Sequence, residues 1–160
     1  MTEPVWLWRI AADTPEYMAE DLSGAGAKQT GGRWNRKGIP MVYAASSRAL
    51  ACLETMVHLD PGGLPLNRYL VQIEVPWDLW ETSAVVDPNA LVGWDALPAG
   101  KVSLDWGSAW IDSKGQLLAR VPSIVVPEEW CVLFNPLHPG LSELKARKIR
   151  RWTYDGRLRH

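Results

Sequence analysis

Glu54 sits in the run Ala49-Leu50-Ala51-Cys52-Leu53-Glu54-Thr55-Met56-Val57 and is its one charged residue. Such a run reads as a helix that is apolar nearly all round, and therefore buried. On that helix Glu54 meets Leu50, Ala51, Val57 and His58. A carboxylate on an apolar surface costs free energy unless it is paired, hydrogen-bonded or turned toward a cleft. Two readings stay open: a structural pair with His58 or an arginine, or a group kept for chemistry as a fixed negative charge or general base.

A second chemical feature precedes it. Gly31-Gly32-Arg33-Trp34-Asn35-Arg36-Lys37-Gly38 combines flexible backbone N–H groups, three cations and an aromatic ring. Amides and a guanidinium fork suit a phosphate, with the ring as cover. A basic surface turn is the alternative. The loop lacks the Gly-Lys-Ser/Thr of a Walker loop, and no strand–GxGxxG–helix unit of a dinucleotide fold is present.

The elements that must position these groups follow from pattern. Val5–Ile10 is predicted as a first strand, and 11–32 as mostly loop with a short helix near Pro15–Ala19. Met41–Ala45 is a strand. Ser46 and Ser47 are candidate N-caps for a helix over Arg48–Leu59, stopped by Asp60-Pro61-Gly62-Gly63. Tyr69, Val71, Ile73 and Val75 alternate, giving a strand over Arg68–Val75 that Pro76 ends. Further on, Ser83–Val86 is a short strand, Gly107–Ala119 a helix, Ser123–Val126 and Trp130–Phe134 strands, Ser142–Ile149 a helix and Arg151–Tyr154 a closing strand. Strands and helices mix without βαβ alternation, so the class is α+β.

At 160 residues the chain has the size of one domain, so 1–160 is expected to form a single domain able to bury its own core. An apolar share of 47% with 22% charged residues excludes a disordered chain, and a net charge of −1 excludes a strong overall field for nucleic acid. Cys52 and Cys131 both lie in apolar runs and read as buried free thiols. No Cys/His spacing suggests a zinc site, so no metal is expected. Met1–Ile10 has no signal-peptide pattern and no stretch reaches a membrane span, which makes the cytoplasm the expected location. Ten tryptophans are many for this length; Trp77, Trp80, Trp94 and Trp106 are expected in loops, filling core and walling off the long connections.

Taken together, several separated segments resemble the RES domain, a toxin family. They are Leu22-Ser23-Gly24-Ala25-Gly26-Ala27, Gly31-Gly32-Arg33-Trp34-Asn35, Val42-Tyr43-Ala44-Ala45-Ser46, Ala49 to His58, Arg120-Val121-Pro122-Ser123, and Leu133-Phe134-Asn135-Pro136-Leu137-His138-Pro139. The ending Tyr154-Asp155-Gly156-Arg157-Leu158 is similar to the family's closing segment, with Gly156 where a proline is frequent. The Arg, Glu and Ser for which the family is named fall on Arg33, Glu54 and Ser123.

The resemblance implies a fold like that of ADP-ribosyltransferase toxins: a split, mixed β core with surrounding helices and an NAD+ cleft. It implies a type II toxin that cleaves NAD+ at the nicotinamide–ribose bond by hydrolysis or phosphorolysis, with transfer of ADP-ribose to a host protein as the alternative. NAD+ is then substrate, and no cofactor is expected. Glu54, Arg33, Tyr43 and Ser123 are the expected catalytic group. Glu54 faces the oxocarbenium-like ribose. Arg33 holds the pyrophosphate, and Arg9 is a second phosphate ligand. Tyr43 stacks on or borders the nicotinamide, while Ser123 and Asn135 hydrogen-bond the amide or ribose. The implied partner is an Xre-type DNA-binding antitoxin whose C-terminal part blocks the active site, with room for a homodimer inside that complex.

A different class is a non-catalytic module that binds nucleic acid or protein. Lys145, Arg147, Lys148, Arg150, Arg151, Arg157 and Arg159 crowd the C-terminal end. Such a run suits phosphates, an acidic protein surface, or simply a solvated face.

Overall fold

Seven strands pair in the order β4-β5-β6-β2-β1-β3-β7 in the computed structural model, which describes residues 2–59 and 63–158. They are β1 (Val5–Ala11), β2 (Val42–Ala45), β3 (Tyr69–Val75), β4 (Ala84–Val85), β5 (Leu118–Pro122), β6 (Trp130–Phe134) and β7 (Lys145–Arg151). Only β4–β5 is parallel, so the sheet is mixed. Among the described residues four α-helices accompany it: α1 (Ala25–Thr30), α2 (Arg48–Met56), α3 (Trp77–Glu81) and α4 (Lys101–Ser113). The class is α+β, as expected.

The sheet is nearly divided at its centre. β1 pairs with β3 over all seven residues, and β2 with β6 over all four. Between β1 and β2 a single pair remains, Trp8 with Ala45. A split core is therefore present, as two well-paired halves joined at one point. Arg9 reaches over the gap, donating from Nη1 to the Tyr43 carbonyl at 3.3 Å.

Period-two alternation sorts side chains onto two faces. Val42, Ala44, Val132 and Phe134 join Leu7, Val71 and Ile73 in one core cluster. Leu133, Ala119 and Val121 turn to the other face, where Trp110 and Ile111 of α4 cover them. On the same side, Leu50, Ala51 and Cys52 of α2 pack on Trp8, Ile10, Ala45 and Leu70. Ser47 caps α2 by accepting from the Leu50 amide at 3.1 Å; a cap of this kind contributes about 1 kcal/mol.

Several elements differ from the sequence expectation. The helix bearing Glu54 ends at Met56 and is amphipathic: Leu53 and Val57 are exposed, and only Leu50, Ala51 and Cys52 are buried. Its expected stop at Asp60-Pro61-Gly62 lies outside the described residues. No helix covers 15–19; the helix in this region is α1. The helix expected over 107–119 starts earlier, at Lys101, because Trp106 and Trp110 share its buried side, and ends at Ser113, with Lys114 as its cap at φ 51°. Trp106 thus belongs to a helix, as do Trp77 and Trp80. Leu118 and Ala119 belong to β5, and Ser123–Val126 is a turn after it rather than a strand.

Residues 142–149 are not helical. A 3₁₀ turn over Pro139–Glu143 leads into β7, which pairs with the free edge of β3 from Glu74–Lys145 to Tyr69–Arg151. That edge, not local propensity, decides the conformation. The closing strand expected at 151–154 is only its continuation: the Trp152 amide donates to the Arg68 carbonyl at 2.8 Å, and the chain then leaves the sheet.

Candidate functional site

A cleft of about 1510 Å³ opens over the split in the sheet, and Arg9, Arg33, Tyr43 and Glu54 all line it. The α2 helix carries Glu54 along one wall. The Gly31–Gly38 loop carries Arg33 along the other, and the two charges lie close enough for Glu54 to raise the affinity of the Arg33 guanidinium for its proton. Desolvation is the stronger influence on Arg33, and its net effect is to lower the pKa from the ordinary arginine value.

Glu54 is fixed from behind. Ser123 donates from Oγ to Glu54 Oε1 at 2.5 Å. The same hydroxyl oxygen accepts the Val125 and Val126 amides at 3.1 and 3.0 Å. A serine hydroxyl has one proton and two lone pairs. With both lone pairs engaged, the proton is directed to Glu54. Ser123 is fully buried, so it touches a ligand only through Glu54. Cys131 on β6 also borders this carboxylate; burial first, then Glu54, push its thiol well above the usual range and keep it protonated.

The Arg33 wall is built from residues far apart in sequence. Arg33 Nη1 donates to the Trp94 and Ala96 carbonyls at 2.9 and 2.8 Å, which aims the guanidinium. Ser103 Oγ of α4 donates to the Arg33 carbonyl at 2.7 Å. Arg36 binds Asp105 at 2.6 Å and Ser108 at 3.2 Å. Trp34 stacks with Trp94 at 6.4 Å and meets Trp106 edge-on at 5.6 Å. Gly107 makes this contact sterically feasible, since a Cβ there would stand 1.6 Å from the Trp34 carbonyl oxygen.

Tyr43 closes the loop from the sheet side. Its hydroxyl donates to Asn35 Oδ1 at 2.6 Å and accepts the Trp34 amide at 3.1 Å. Burial pushes its pKa far above the usual tyrosine value, so the hydroxyl stays a donor. Asn35, 1% exposed, spends Nδ2 on the Ala27, Arg36 and Ile39 carbonyls. Gly32 must be small here: a Cβ would approach the Tyr43 hydroxyl to 2.7 Å.

Arg9 lines the cleft near Asp21 and Tyr17, both of which favour its charged form against desolvation. Its Nε is buried without a hydrogen-bond partner among the described residues. Asn135 is not brought to the cleft. It is fully buried, with Nδ2 on the Ile111 carbonyl at 3.0 Å and Oδ1 on the Leu137 amide at 2.9 Å. Those bonds tie β6 to α4, so Asn135 supports the scaffold and does not reach a ligand. Among the described residues no group of three or more His, Cys, Asp or Glu is placed to hold a metal. No helix among them is long and apolar enough to cross a membrane.

Sequence reasoning missed Ser103, Asp105 and Gly107 on α4 and the carbonyls of Trp94 and Ala96. The available signal was Gly107 inside an otherwise helical stretch, a residue that costs helix stability and so points to a packing reason.

Fold and site together define an α+β protein whose cleft opens over a split mixed sheet, with a braced carboxylate opposite a braced guanidinium. The chain belongs to the RES domain family, which it matches over residues 6–155. It is 60% identical over 152 residues, 94% of each chain, to a protein of Sphingobium sp. (strain YBL2) named Prs ADP-ribosylating toxin. It is 37% identical to a Toxin Res of Pseudomonas putida, covering 95% of this chain and 98% of that one. A Toxin Res of Yersinia enterocolitica is 35% identical, with coverage of 89% and 93%.

Proposed function

We propose that this chain is a toxin that cleaves NAD+ at the nicotinamide–ribose bond and passes the ADP-ribosyl group to a protein acceptor. The observation that carries the first step is the Ser123–Glu54 bond in a cleft that also holds Arg33. Breaking the C–N bond builds positive charge on the ribose while nicotinamide leaves as a neutral molecule. Glu54, held in place before the reaction, offers a fixed negative charge at no cost in reorganisation. It then takes the proton of the incoming nucleophile as the new bond to the ribose carbon forms. Arg33 and Arg9 hold the pyrophosphate; each has guanidinium nitrogens left over from its protein contacts. Tyr43 borders the nicotinamide with its ring while its hydroxyl holds the loop.

The acceptor is favoured to be a protein on two grounds. The Sphingobium relative is named for modifying Prs, and it shares 60% of its aligned residues with this chain. Exposed apolar side chains from four separate segments, Met18, Val57, Leu97 and Val125, stand at the cleft. An apolar rim of this kind suits a protein contact better than water. Hydrolysis or phosphorolysis uses the same first step, with water or phosphate as nucleophile. An Xre-type antitoxin entering the same cleft, in the cytoplasm of the host, completes the proposal.

The test is incubation of the purified chain with NAD+ labelled in the ADP-ribose part, alone and with Prs or cell extract. Label on a protein supports transfer. Free ADP-ribose alone assigns hydrolysis, and intact NAD+ in every arm overturns the proposal.

A further inference from the structure

The sheet ends at β7, whose sequence Lys145-Ala146-Arg147-Lys148-Ile149-Arg150-Arg151 is cationic at five of seven positions. Two of the five are neutralised within the chain. Lys145 lies 3.6 Å from Glu74, and Lys148 lies 2.8 Å from Asp13 and 3.8 Å from Glu20. Arg147, Arg150 and Arg151 are exposed and have no carboxylate partner among the described residues. The whole chain carries a net charge of −1, so this concentration is local.

Two of the three are held ready. Arg150 lies over the Trp152 ring at 4.8 Å and Arg151 over the Tyr69 ring at 5.6 Å. Arg151 also donates to the Leu66 carbonyl and the Tyr69 hydroxyl. Guanidinium groups stacked on aromatic faces lose little further freedom when they grip a carboxylate. One end of the strip comes near the cleft: Arg151 donates to the Leu66 carbonyl and the Trp152 amide to the Arg68 carbonyl, while Arg68 lines the cleft. By register Arg150, opposite Leu70, and Arg151, opposite Tyr69, project from the two faces of this edge strand. Edge strands often carry charge to prevent self-pairing, and lysine is the usual choice. Three arginines without a carboxylate partner among the described residues, two of them on aromatic platforms, exceed that need.

Resting on the transfer reading above, we propose that β7 is a docking surface for an acidic face of the acceptor protein, gripped by Arg147, Arg150 and Arg151 beside the cleft. A carboxylate-bearing protein fits better than nucleic acid, because the cations are confined to one strand and the molecule has no net positive field. Docking of this kind acts on encounter and orientation, so it changes transfer without changing NAD+ cleavage.

The experiment compares the wild type with the triple variant Arg147→Gln, Arg150→Gln, Arg151→Gln, in two assays. One reads nicotinamide release from NAD+ without a protein acceptor. The other reads ADP-ribose transfer to Prs, or to any protein band the wild type labels in cell extract, at low and high salt. We expect unchanged nicotinamide release, a fall in transfer of roughly ten-fold or more at low salt, and a wild-type salt dependence that the variant loses. Equal transfer by both proteins overturns the docking surface, as does nicotinamide release with no protein labelled. Retention of DNA by the wild type that the variant loses, with transfer unchanged, reassigns the strip to nucleic acid. No nicotinamide release by the wild type in any arm, acceptor present or absent, overturns the NAD+ reading itself and is thereby told apart.

Discussion

Ser123 and Glu54 form a one-way hydrogen bond: the serine oxygen already accepts two backbone amides, so its proton is committed to Glu54 Oε1. The turn after β5 thus sets the position of a carboxylate on α2, a connection across 69 residues of chain. Ser123→Ala removes the donor and strands the Val125 and Val126 amides. The expected result is a fall in nicotinamide release of roughly ten- to a hundred-fold, with a stability loss of about 1–3 kcal/mol for the unsatisfied groups. Steady-state kinetics beside a urea melt separates the two effects. A variant as active as the wild type would show that the carboxylate needs no brace.

Gly107 fixes the distance between α4 and the Arg33 loop. In Gly107→Ala the new methyl group falls 1.6 Å from the Trp34 carbonyl oxygen, so helix and loop must separate. Overpacking of this kind costs about 1–3 kcal/mol. The displaced loop carries Arg33 with it, and KM for NAD+ is expected to rise. A melting temperature and KM both equal to the wild type would rule out α4 as the platform for Arg33.

Arg33 uses one nitrogen for the Trp94 and Ala96 carbonyls, and the proposed NAD+ site draws on the rest of its fork. Lysine cannot satisfy both demands at once. Arg33→Lys should weaken NAD+ binding by roughly ten-fold or more, the scale of a lost charge-assisted bond. Titration of the folded variant with NAD+ checks this, and undiminished affinity would remove Arg33 from the pyrophosphate site.

The architecture on the Glu54 side was largely legible. Ser47 as a helix cap, Tyr43 on a short strand and the alternation of β3 are local patterns, and the structure reproduces them. The braces were not legible, because each depends on residues distant in sequence. The Ser103 hydroxyl meets the Arg33 carbonyl 70 positions away, and no local pattern identifies that partner. Asn135, polar and beside a proline, looked like a ligand group, yet its side chain is spent between β6 and α4. Residues 142–149 read as a helix because the five charges over 145–151 mask any alternation; only the free edge of β3 makes 145–151 a strand. The start of α4 was recoverable from Trp106 and Trp110 at helical spacing.

Asp13 links pH to the segment that borders the cleft. The Lys148 ammonium and the Ala19 amide hold its carboxyl below the usual range. A depressed folded pKa stabilises the fold above the unfolded value of about 4, and the contribution is lost as pH falls through the lower folded value. Asp13→Asn should therefore melt below the wild type near pH 7 and approach it near pH 3. A gap of the same size at both pH values would contradict the role of this carboxylate.

The central claim is that Glu54 serves the cleavage of NAD+, and nicotinamide release by the wild type beside Glu54→Gln tests it most directly. The substitution keeps the shape of the side chain and an oxygen for Ser123 while removing the charge. The structure predicts release by the wild type and a loss of roughly a hundred-fold or more in the folded variant. Equal release by both proteins would contradict the role of Glu54, and release by neither would contradict NAD+ as the substrate.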